Sequence, residues 1–418
     1  MNPNKSEFSL TDKLKALGVQ KGAQGLPQPR RQMPEDYPIE RVVAGRFQPT
    51  THGPVFVVEQ PYPKSYRHGR VGLWAEASLR HLAEWAEEQR LADCHPHQLA
   101  FLDTETSGLA GGTGTYAFLI GVARFDGDRF QLAQFFMRDP AEERAQLAAL
   151  ADFLRPCDVL VTFNGKAFDV PLLNSRYTLN SLQSPLPGLA QLDLLTLARR
   201  LWRDRLESRR LVELEKRILG MARTGEDVPG YLIPELYFTY LRNGDARPLK
   251  DVFYHNAMDV AAMAALLNQT GRMVAEPLGE AVEHALDLVA IGKVYETLGR
   301  FDLAAHLFHE GMGRNDLPEA HYWETQRRLS FLYKRCHNLA AAVELWQLAA
   351  GGRQLYAYVE LAKYYEHRQR DYQTALAWTE AALELLDQPT TSRQERREWL
   401  ADLRRRLARL RQKVGSCG

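Results

Sequence analysis

The sequence is poor in cysteine, in net charge and in long apolar runs, and each shortage excludes a class of protein. Its four cysteines stand singly, so neither a disulfide framework nor a cysteine-based zinc site is expected. The net charge is +1 at pH 7, so composition gives no overall electrostatic reason to bind nucleic acid. No run of about 18 apolar residues is present, and no apolar signal segment follows the first residues. We therefore expect a cytoplasmic protein with no membrane span.

The length of 418 residues, with 45% hydrophobic and 25% charged residues, predicts a globular protein of two or three domains. Residues 1–36 are polar and carry several glycines and prolines, which predicts a flexible tail with one short helix near residues 10–17. We expect residues 37–97 to form an extension that packs on the next domain. Within it, residues 72–92 show helical spacing of leucine and tryptophan.

From residue 98 to residue 270 the pattern is that of a mixed α/β domain. An apolar strand at 99–103 is followed by strands at 116–125 and 130–137, which flank an Asp-Gly-Asp turn. A helix at 141–154, a short strand and a further helix come next. This order predicts a mixed sheet flanked by helices.

Residues 285–415 have only helical patterns, and they repeat. Ala304, Ala342 and Ala375 occupy equivalent places, 38 and 33 residues apart, among paired amphipathic segments. A period near 34 residues with a small residue at each helix crossing predicts an all-α tetratricopeptide-like domain. A plain helical bundle is the alternative. Either architecture offers a surface for a protein partner.

Asp103 and Glu105 end the first apolar strand, two residues apart. Alternate residues of a strand point to the same face, so the two carboxylates are expected side by side. Hydrolysis of a phosphodiester is commonly assisted by two divalent ions about 4 Å apart, and ions of the Mg²⁺ class prefer carboxylate oxygens. Taken alone, such a pair of acids is more often an ordinary surface feature.

Two later segments add further acids. Asn164 and Asp169 lie between a strand and a helix, and Asp169 alone could be a helix cap. In the third segment His255 and Asp259 are i and i+4 on a helix, so they share a face. A histidine beside a metal-binding carboxylate is well placed to accept a proton from water, although a simple surface pair has the same spacing.

Together these motifs resemble the DEDD superfamily of 3′–5′ exonucleases, which have a ribonuclease H-like fold. The order is D-x-E, then N-x₃-F-D, then Tyr or His before Asp. A closer resemblance is to the bacterial YprB-type ribonuclease H-like proteins, some of which also carry tetratricopeptide repeats. The stretches that carry it are residues 107–116, 164–173, 193–195, 227–230 and 255–260. The resemblance implies two Mg²⁺ or Mn²⁺ ions held by Asp103, Glu105, Asp169 and Asp259.

The third motif departs from the family pattern. Its tyrosine branch has three residues between Tyr and Asp and its histidine branch has four, whereas here Tyr254 has four and His255 has three. Helical geometry favours His255 as the general base, because i and i+4 share a face. Tyr254 either packs or contacts substrate, and the assignment stays open between them.

Other residues near the motifs are candidates for contact with a nucleic-acid substrate. We predict this role for Thr106, Asn164, Lys166 and Tyr254. The glycine-rich segment 109–116 could approach phosphate closely, or could simply be a long hairpin connection. Basic clusters at 199–217 and 393–413 could bind phosphates, or could be solvated helix faces.

Three functional hypotheses follow. The leading one is a metal-dependent exonuclease that acts on the single-stranded 3′ end of DNA or RNA, as the family resemblance implies. The second is an inactive or weakly active nucleic-acid-binding scaffold that recruits a protein partner through its helical repeats. The third is a two-metal phosphatase for small substrates.

Overall fold

The computed structural model describes residues 37–75, 77–108, 114–223, 227–389 and 391–417. The tail 1–36, with the helix predicted near residues 10–17, lies outside the described residues. So do residues 109–113, which make up most of the glycine-rich segment. The predictions for these parts of the chain therefore stay predictions.

Seven strands form one mixed sheet, and two short strands form a separate ladder. The main sheet has the order β1-β2-β7-β6-β5-β8-β9. The strands are β1 (Arg46–Thr50), β2 (Gly53–Pro63), β3 (Arg67–His68), β4 (Val71–Gly72), β5 (Leu99–Thr106), β6 (Ala117–Asp126), β7 (Arg129–Phe136), β8 (Val159–Thr162) and β9 (Ala190–Asp193).

The directions of the strands confirm the mixed sheet. β5 pairs antiparallel with β6, and β6 with β7, whereas β5, β8 and β9 run parallel. Residues 37–97 contribute more than a packing surface, because β1 and β2 continue the sheet beyond β7. The sheet thus places β5 between β6 and β8, and the carboxyl end of β5 pairs with β6 beyond the last residue that pairs with β8.

Helices cover both faces of the sheet. They are α1 (Ile39–Val42), α2 (Arg80–Ala86), α3 (Glu143–Leu154), α4 (Asp169–Leu179), α5 (Leu194–Leu201), α6 (Leu211–Leu214), α7 (Ile233–Asn243) and α8 (Leu249–Ala275). The helix expected over residues 72–92 is only seven residues long. It ends where Glu87 adopts a left-handed conformation with φ of 57°.

The C-terminal region is all helical, as predicted. Its helices are α9 (Ala285–Thr297), α10 (Phe301–Gly313), α11 (Glu319–Arg335), α12 (Leu339–Gly351), α13 (Leu355–Tyr364), α14 (Tyr372–Leu386) and α15 (Arg393–Cys417). Ala304, Ala342 and Ala375 lie on α10, α12 and α14 and are each fully buried. A larger side chain there would separate the packed helices. No helix in the described ranges is long and apolar enough to cross a bilayer.

The first C-terminal helices share a core with the sheet domain. Buried residues of α8 and α9 belong to the same apolar cluster, and the hydroxyl of Tyr295 donates to the carbonyl oxygen of Val274 at 2.6 Å. Arg205 also pairs with the buried carboxylate of Asp287. Because α8 carries the third sequence motif, this packing fixes the helix on which that motif lies.

The basic cluster at 393–413 is largely engaged within the protein. Arg406, Arg409 and Lys413 on α15 all pair with Glu366, whose side chain is fully buried. Burial raises the pKa of this carboxyl, but the surrounding cations outweigh burial and lower it to about 2. These three cations therefore attach the last helix to the fold.

Candidate active site

Asp103 and Glu105 lie within β5, which extends three residues beyond the predicted strand. Both residues are half-buried, and Asp103 lines a cavity together with Asp259. The pairing of β5 with β6 shifts register between Glu105 and Thr106, where the strand has a bulge or irregularity. Such bulges re-aim side chains beside functional sites. The strand therefore places both acids on the same face, as their spacing predicted.

Asp169 is the first residue of α4, and its carboxylate accepts a hydrogen bond from the hydroxyl of Thr104 on β5. The turn before it is unusual, because Asn164 has φ of 67°. The carboxylate of Asp193 accepts a 2.8 Å hydrogen bond from the backbone N–H of Asn164 and caps α5 through Leu195. Asp193 thus caps α5 and also stabilises the turn beside the acids.

Asn256 on α8 was not identified from the sequence, yet it positions Asp103 directly. It is fully buried, and its Nδ2 donates to Oδ2 of Asp103 at 2.8 Å. Its Oδ1 accepts from Nε2 of Gln134 at 2.9 Å. Gln134 is itself buried and also donates to the carbonyl oxygen of Phe253. A relay of side chains thus fixes the orientation of Asp103 from β7 through α8.

Gly121 makes room for this relay. It lies on β6, directly between Asp103 on β5 and Gln134 on β7. A Cβ atom at this position would lie 2.1 Å from Oδ1 of Asn256, well inside contact distance. A glycine inside a strand is the one sequence signal that could have indicated this close approach.

His255 shares a face of α8 with Asp259, as predicted, with 3.6 Å between its Nε2 and Oδ2 of Asp259. Its Nδ1 lies 2.7 Å from Oδ1 of Asp227. An ionised carboxylate only accepts, so this contact assigns the imidazole proton to Nδ1. Nε2, the other ring nitrogen, lies on the side of Asp259. Asp227 falls in one of the stretches that carry the family resemblance, but its role was not predicted.

Arg223 is the second residue that the sequence did not single out. Its side chain is 6% exposed and pairs with Asp259 and Glu215. It also lies 3.5 Å from Asp227 and 3.4 Å from Nδ1 of His255. A lone arginine between two motifs carries no periodic signal, so only the folded chain shows that it lies among the acids.

The acids perturb one another strongly. The pKa of Asp103 lies well above its usual range. Burial is the largest cause, and the charges of Asp259 and Asp169 follow. The pKa of Glu105 is also raised well above its usual range, first by burial and then by the charge of Asp103. Burial also raises the pKa of Asp169 to about 6, although the Thr104 hydroxyl opposes the change. These three groups therefore resist ionisation unless positive charge is brought to them.

The donor set suits a hard divalent ion, but the side chains are not yet arranged around one. Within the described residues, no group of three or more His, Cys, Asp or Glu side chains is close enough together to hold a metal ion. The reason lies in their present partners, since Arg223 pairs with Asp259, Asn256 with Asp103, and Thr104 with Asp169. Glu105 accepts no hydrogen bond from the described part of the chain.

The predicted substrate contacts fall in different places. Asn164 lines a cavity of about 490 Å³ together with Asp103 and Asp259. Lys166 lines a neighbouring cavity beside Trp85, away from these acids. The hydroxyl of Thr106 donates to the carbonyl oxygen of Gly108.

Tyr254 is half-buried and packs against the main apolar cluster. There it adds to the effect of burial in raising the pKa of Tyr66. This position favours the packing role that was left open for Tyr254.

The basic segment 199–217 reaches the same cavity as Asn164. Arg199 and Arg210 line it, are exposed, and form no ion pair with the residues that the structure describes. Arg209 also lines it, but its guanidinium donates to the backbone carbonyl oxygens of Leu206 and Glu207. Two arginines that form no ion pair within the described residues therefore line the same cavity as Asp103 and Asp259.

We predict that Gly121→Ala lowers the free energy of unfolding by about 1–3 kcal/mol, because the new Cβ displaces the buried Asn256. Asn256→Ala alone should also be destabilising, since it removes one of the two acceptors of the buried Gln134 amide and the donor to Asp103. The double variant should be more stable than the sum of the two single effects allows, because removing Asn256 makes room for the Cβ. Urea unfolding measures all three.

Gly188→Ala is the matched control, since a Cβ there meets nothing within 4 Å. Additive effects of Gly121→Ala and Asn256→Ala would show that the two residues do not share this contact.

A second prediction concerns Asp103→Asn without divalent metal. The pKa of Asp103 is raised on folding, so its contribution to stability is present at low pH and is lost as pH rises through the raised pKa. The variant should therefore be more stable than the parent at pH 8 by about 1–3 kcal/mol, with a smaller difference at pH 5. Urea unfolding in chelator at both pH values tests this. The exposed Asp128→Asn is the control, and equal pH dependence in parent and D103N would contradict the prediction.

Comparison with known proteins agrees with this architecture. Residues 100–270 match the RNase_H superfamily. The chain is 33% identical over 374 residues to "Uncharacterized protein YprB" of Bacillus subtilis (strain 168), and the match covers 86% of each protein.

Among solved structures, a family B DNA polymerase from the archaeon Pyrobaculum calidifontis matches with a TM-score of 0.32 and 16% identity. That match covers 49% of this chain and 29% of the polymerase chain. The extent and identity of the match to the Bacillus protein, with the domain match inside it, show that the chain belongs to the YprB family of proteins with a ribonuclease H-superfamily domain.

Proposed function

We propose that the protein is a divalent-metal-dependent 3′–5′ exonuclease that hydrolyses phosphodiester bonds of DNA or RNA. The observation that carries this is the meeting of Asp103, Glu105, Asp169 and Asp259 at the carboxyl end of β5, in a ribonuclease H-type sheet. Two Mg²⁺ or Mn²⁺ ions, when bound, would activate water and stabilise the leaving oxygen.

The raised pKa values of the acids support metal binding. Asp103, Glu105 and Asp169 gain little from water or from cations in the protein, and they would be stabilised in their charged form by a divalent ion. Half-buried like charges are costly, and a fold that only supported a scaffold would have no need of them.

His255 is the proposed proton acceptor. Asp227 fixes its tautomer from behind, and the free Nε2 lies on the side of Asp259. A carboxylate behind an imidazole also favours the imidazolium that forms when Nε2 takes a proton from water. The packed position of Tyr254 leaves His255 as the better candidate for this step.

The basic wall of the cavity supports a nucleic-acid substrate. Arg199 and Arg210 line the same cavity as Asp103 and Asp259, and its volume is about 490 Å³. Guanidinium groups bind phosphate oxygens through paired N–H donors. A strand end could therefore be held with a phosphodiester near the acids.

A second candidate function is a nucleic-acid-binding scaffold that recruits a protein partner through α9–α15. The pairing of Arg223 with Asp259, together with the lack of a ready three-ligand arrangement in the described ranges, favours it. A scaffold would bind single strands through Arg199 and Arg210 and would not cleave them.

The proposed activity is tested with 5′-labelled single- and double-stranded DNA and RNA, each with Mg²⁺, Mn²⁺ or chelator. We expect stepwise shortening from the 3′ end that requires metal. Asp103→Ala should reduce the rate at least about 1,000-fold, because it removes the acid that couples to the other three. Intact substrates throughout the panel would refute the activity, and cleavage that survives D103A would identify a contaminant.

A further prediction concerns the cavity wall. Replacing Arg199 and Arg210 by Ala should weaken single-strand binding about tenfold at low salt and reduce the log–log salt dependence by about 0.7 per arginine. Arg203→Ala is the matched control, since Arg203 is exposed in the same segment but does not line the cavity. Fluorescence anisotropy in chelator measures binding without cleavage. Equal losses for the control and the double variant would show that the cavity does not contact the strand.

A further inference from the structure

Arg223 is a nearly buried cation that pairs with Asp259, one of the acidic group Asp103, Glu105, Asp169 and Asp259. Its Nη2 pairs with Oδ1 of Asp259, and the other oxygen, Oδ2, faces Nε2 of His255 at 3.6 Å. Both oxygens of Asp259 are therefore occupied or approached by protein groups. An incoming ion that uses Asp259 must displace the guanidinium or share the carboxylate with it.

Arg223 is held in this position from behind. Nε of Arg223 donates to Oε2 of Glu215 at 2.8 Å, and Oε1 of the same carboxylate lies 2.7 Å from Nε2 of His68. Glu215 and His68 are both essentially without solvent exposure. A charge buried this deeply is stable only with fixed partners, so the guanidinium has a built site and not a loose surface rotamer.

The backbone around Glu215 reinforces that site. Glu215–Leu219 form one turn of π-helix, and the hairpin of β3 and β4 packs against it. Gly69 permits the contact, because a Cβ there would lie 2.1 Å from the carbonyl oxygen of Leu219. The same oxygen accepts a hydrogen bond from the backbone N–H of Arg70 at 2.8 Å. Residues 37–97 thus help to place Arg223 at the acids.

The acids of this group consequently differ in how close the nearest positive charge of the protein lies. Burial alone would lower the pKa of Arg223. The charges of Asp259 and Glu215 outweigh burial and raise this pKa, so the side chain stays charged. Asp259 forms a direct ion pair with Arg223, whereas Glu105 forms no ion pair within the described part of the chain and feels Arg223 only from a distance. The end of the group at Asp103 and Glu105 is the more attractive one for a first divalent ion.

We infer that Arg223 acts as a resident cation in place of one divalent ion, so that the protein without nucleic acid binds one Mn²⁺ tightly and a second only weakly. The inference rests on the proposed metal site and goes beyond it, since it assigns an unequal affinity to the two ions and names the cause. A +1 charge fixed on Asp259 repels a nearby divalent ion and occupies one of its ligand atoms.

The test counts bound Mn²⁺ without measuring cleavage. Isothermal titration, or electron paramagnetic resonance of free Mn²⁺, is performed on the full chain without nucleic acid. We expect Arg223→Gln to strengthen the second binding event at least about tenfold and to leave the first within about threefold. Arg223→Lys keeps the charge and should leave the second event weak.

The gain must depend on Asp259. In the Arg223→Gln background, Asp259→Asn should abolish the strengthened second event, whereas in the parent it should change the first event little. This double-mutant cycle separates the loss of the Arg223–Asp259 pair from a general change in net charge.

Arg223→Gln leaves Glu215 buried without its cation, so folding is checked by thermal melting. The double variant Glu215→Gln/Arg223→Gln removes that stranded charge and should show the same gain in Mn²⁺ affinity. Two equally tight ions in the parent, or no gain in either variant, would overturn the inference.

These outcomes are distinguishable from the outcome for the proposed activity. A parent that binds two equally tight ions and degrades strands refutes the role of Arg223 and supports the nuclease. A parent that degrades nothing, yet shows the gain on Arg223→Gln, refutes the nuclease and supports the role of Arg223. A parent and variants that bind no Mn²⁺ refute both.

Discussion

Mutual repulsion among half-buried carboxylates is the constraint around which this site is organised. Asp103 raises the cost of ionising Glu105, and the charges of Asp259 and Asp169 raise the cost of ionising both. The fold answers with polar and positively charged groups placed against particular acids. Asn256 donates to Asp103, Thr104 donates to Asp169, and Arg223 supplies positive charge at Asp259. The acids can therefore remain together in the absence of an ion, at a cost in stability that an ion would remove.

Each of these groups comes from a different part of the chain, which links the site to the whole fold. Asn256 depends on Gln134 in β7 and on the space left by Gly121 in β6. Arg223 depends on Glu215 and, through it, on His68 in the N-terminal hairpin. The helix α8 that carries the third motif packs against α9, so the C-terminal helices also support its position. A substitution at any of these distant contacts would therefore change how the residues around the acids pack.

Much of the site could be predicted because its acids sit on regular elements. A strand places residues i and i+2 together and a helix places i and i+4 together, so Asp103 with Glu105, and His255 with Asp259, follow from spacing alone. The mixed sheet followed from the order of strands and helices. Asn256, Asp227 and Arg223 could not be found in this way, because a single polar residue carries no period and its partner lies far away along the chain. Lys166 shows the converse, since it lies inside a motif and yet faces a different cavity.

The sequence by itself indicated the domain type and the family, and it predicted the acids and the histidine of the third motif as site residues. It determined them because local periodicity and ordered motifs are properties of the chain before it folds. Only the tertiary structure decided which side chains meet those acids. It placed Asn256 against Asp103 and Tyr254 against the core, and it put Arg223 on Asp259. The physical reason is that a carboxylate's charge state and ligand availability depend on burial and on its neighbours within a few ångströms, which the chain acquires only on folding.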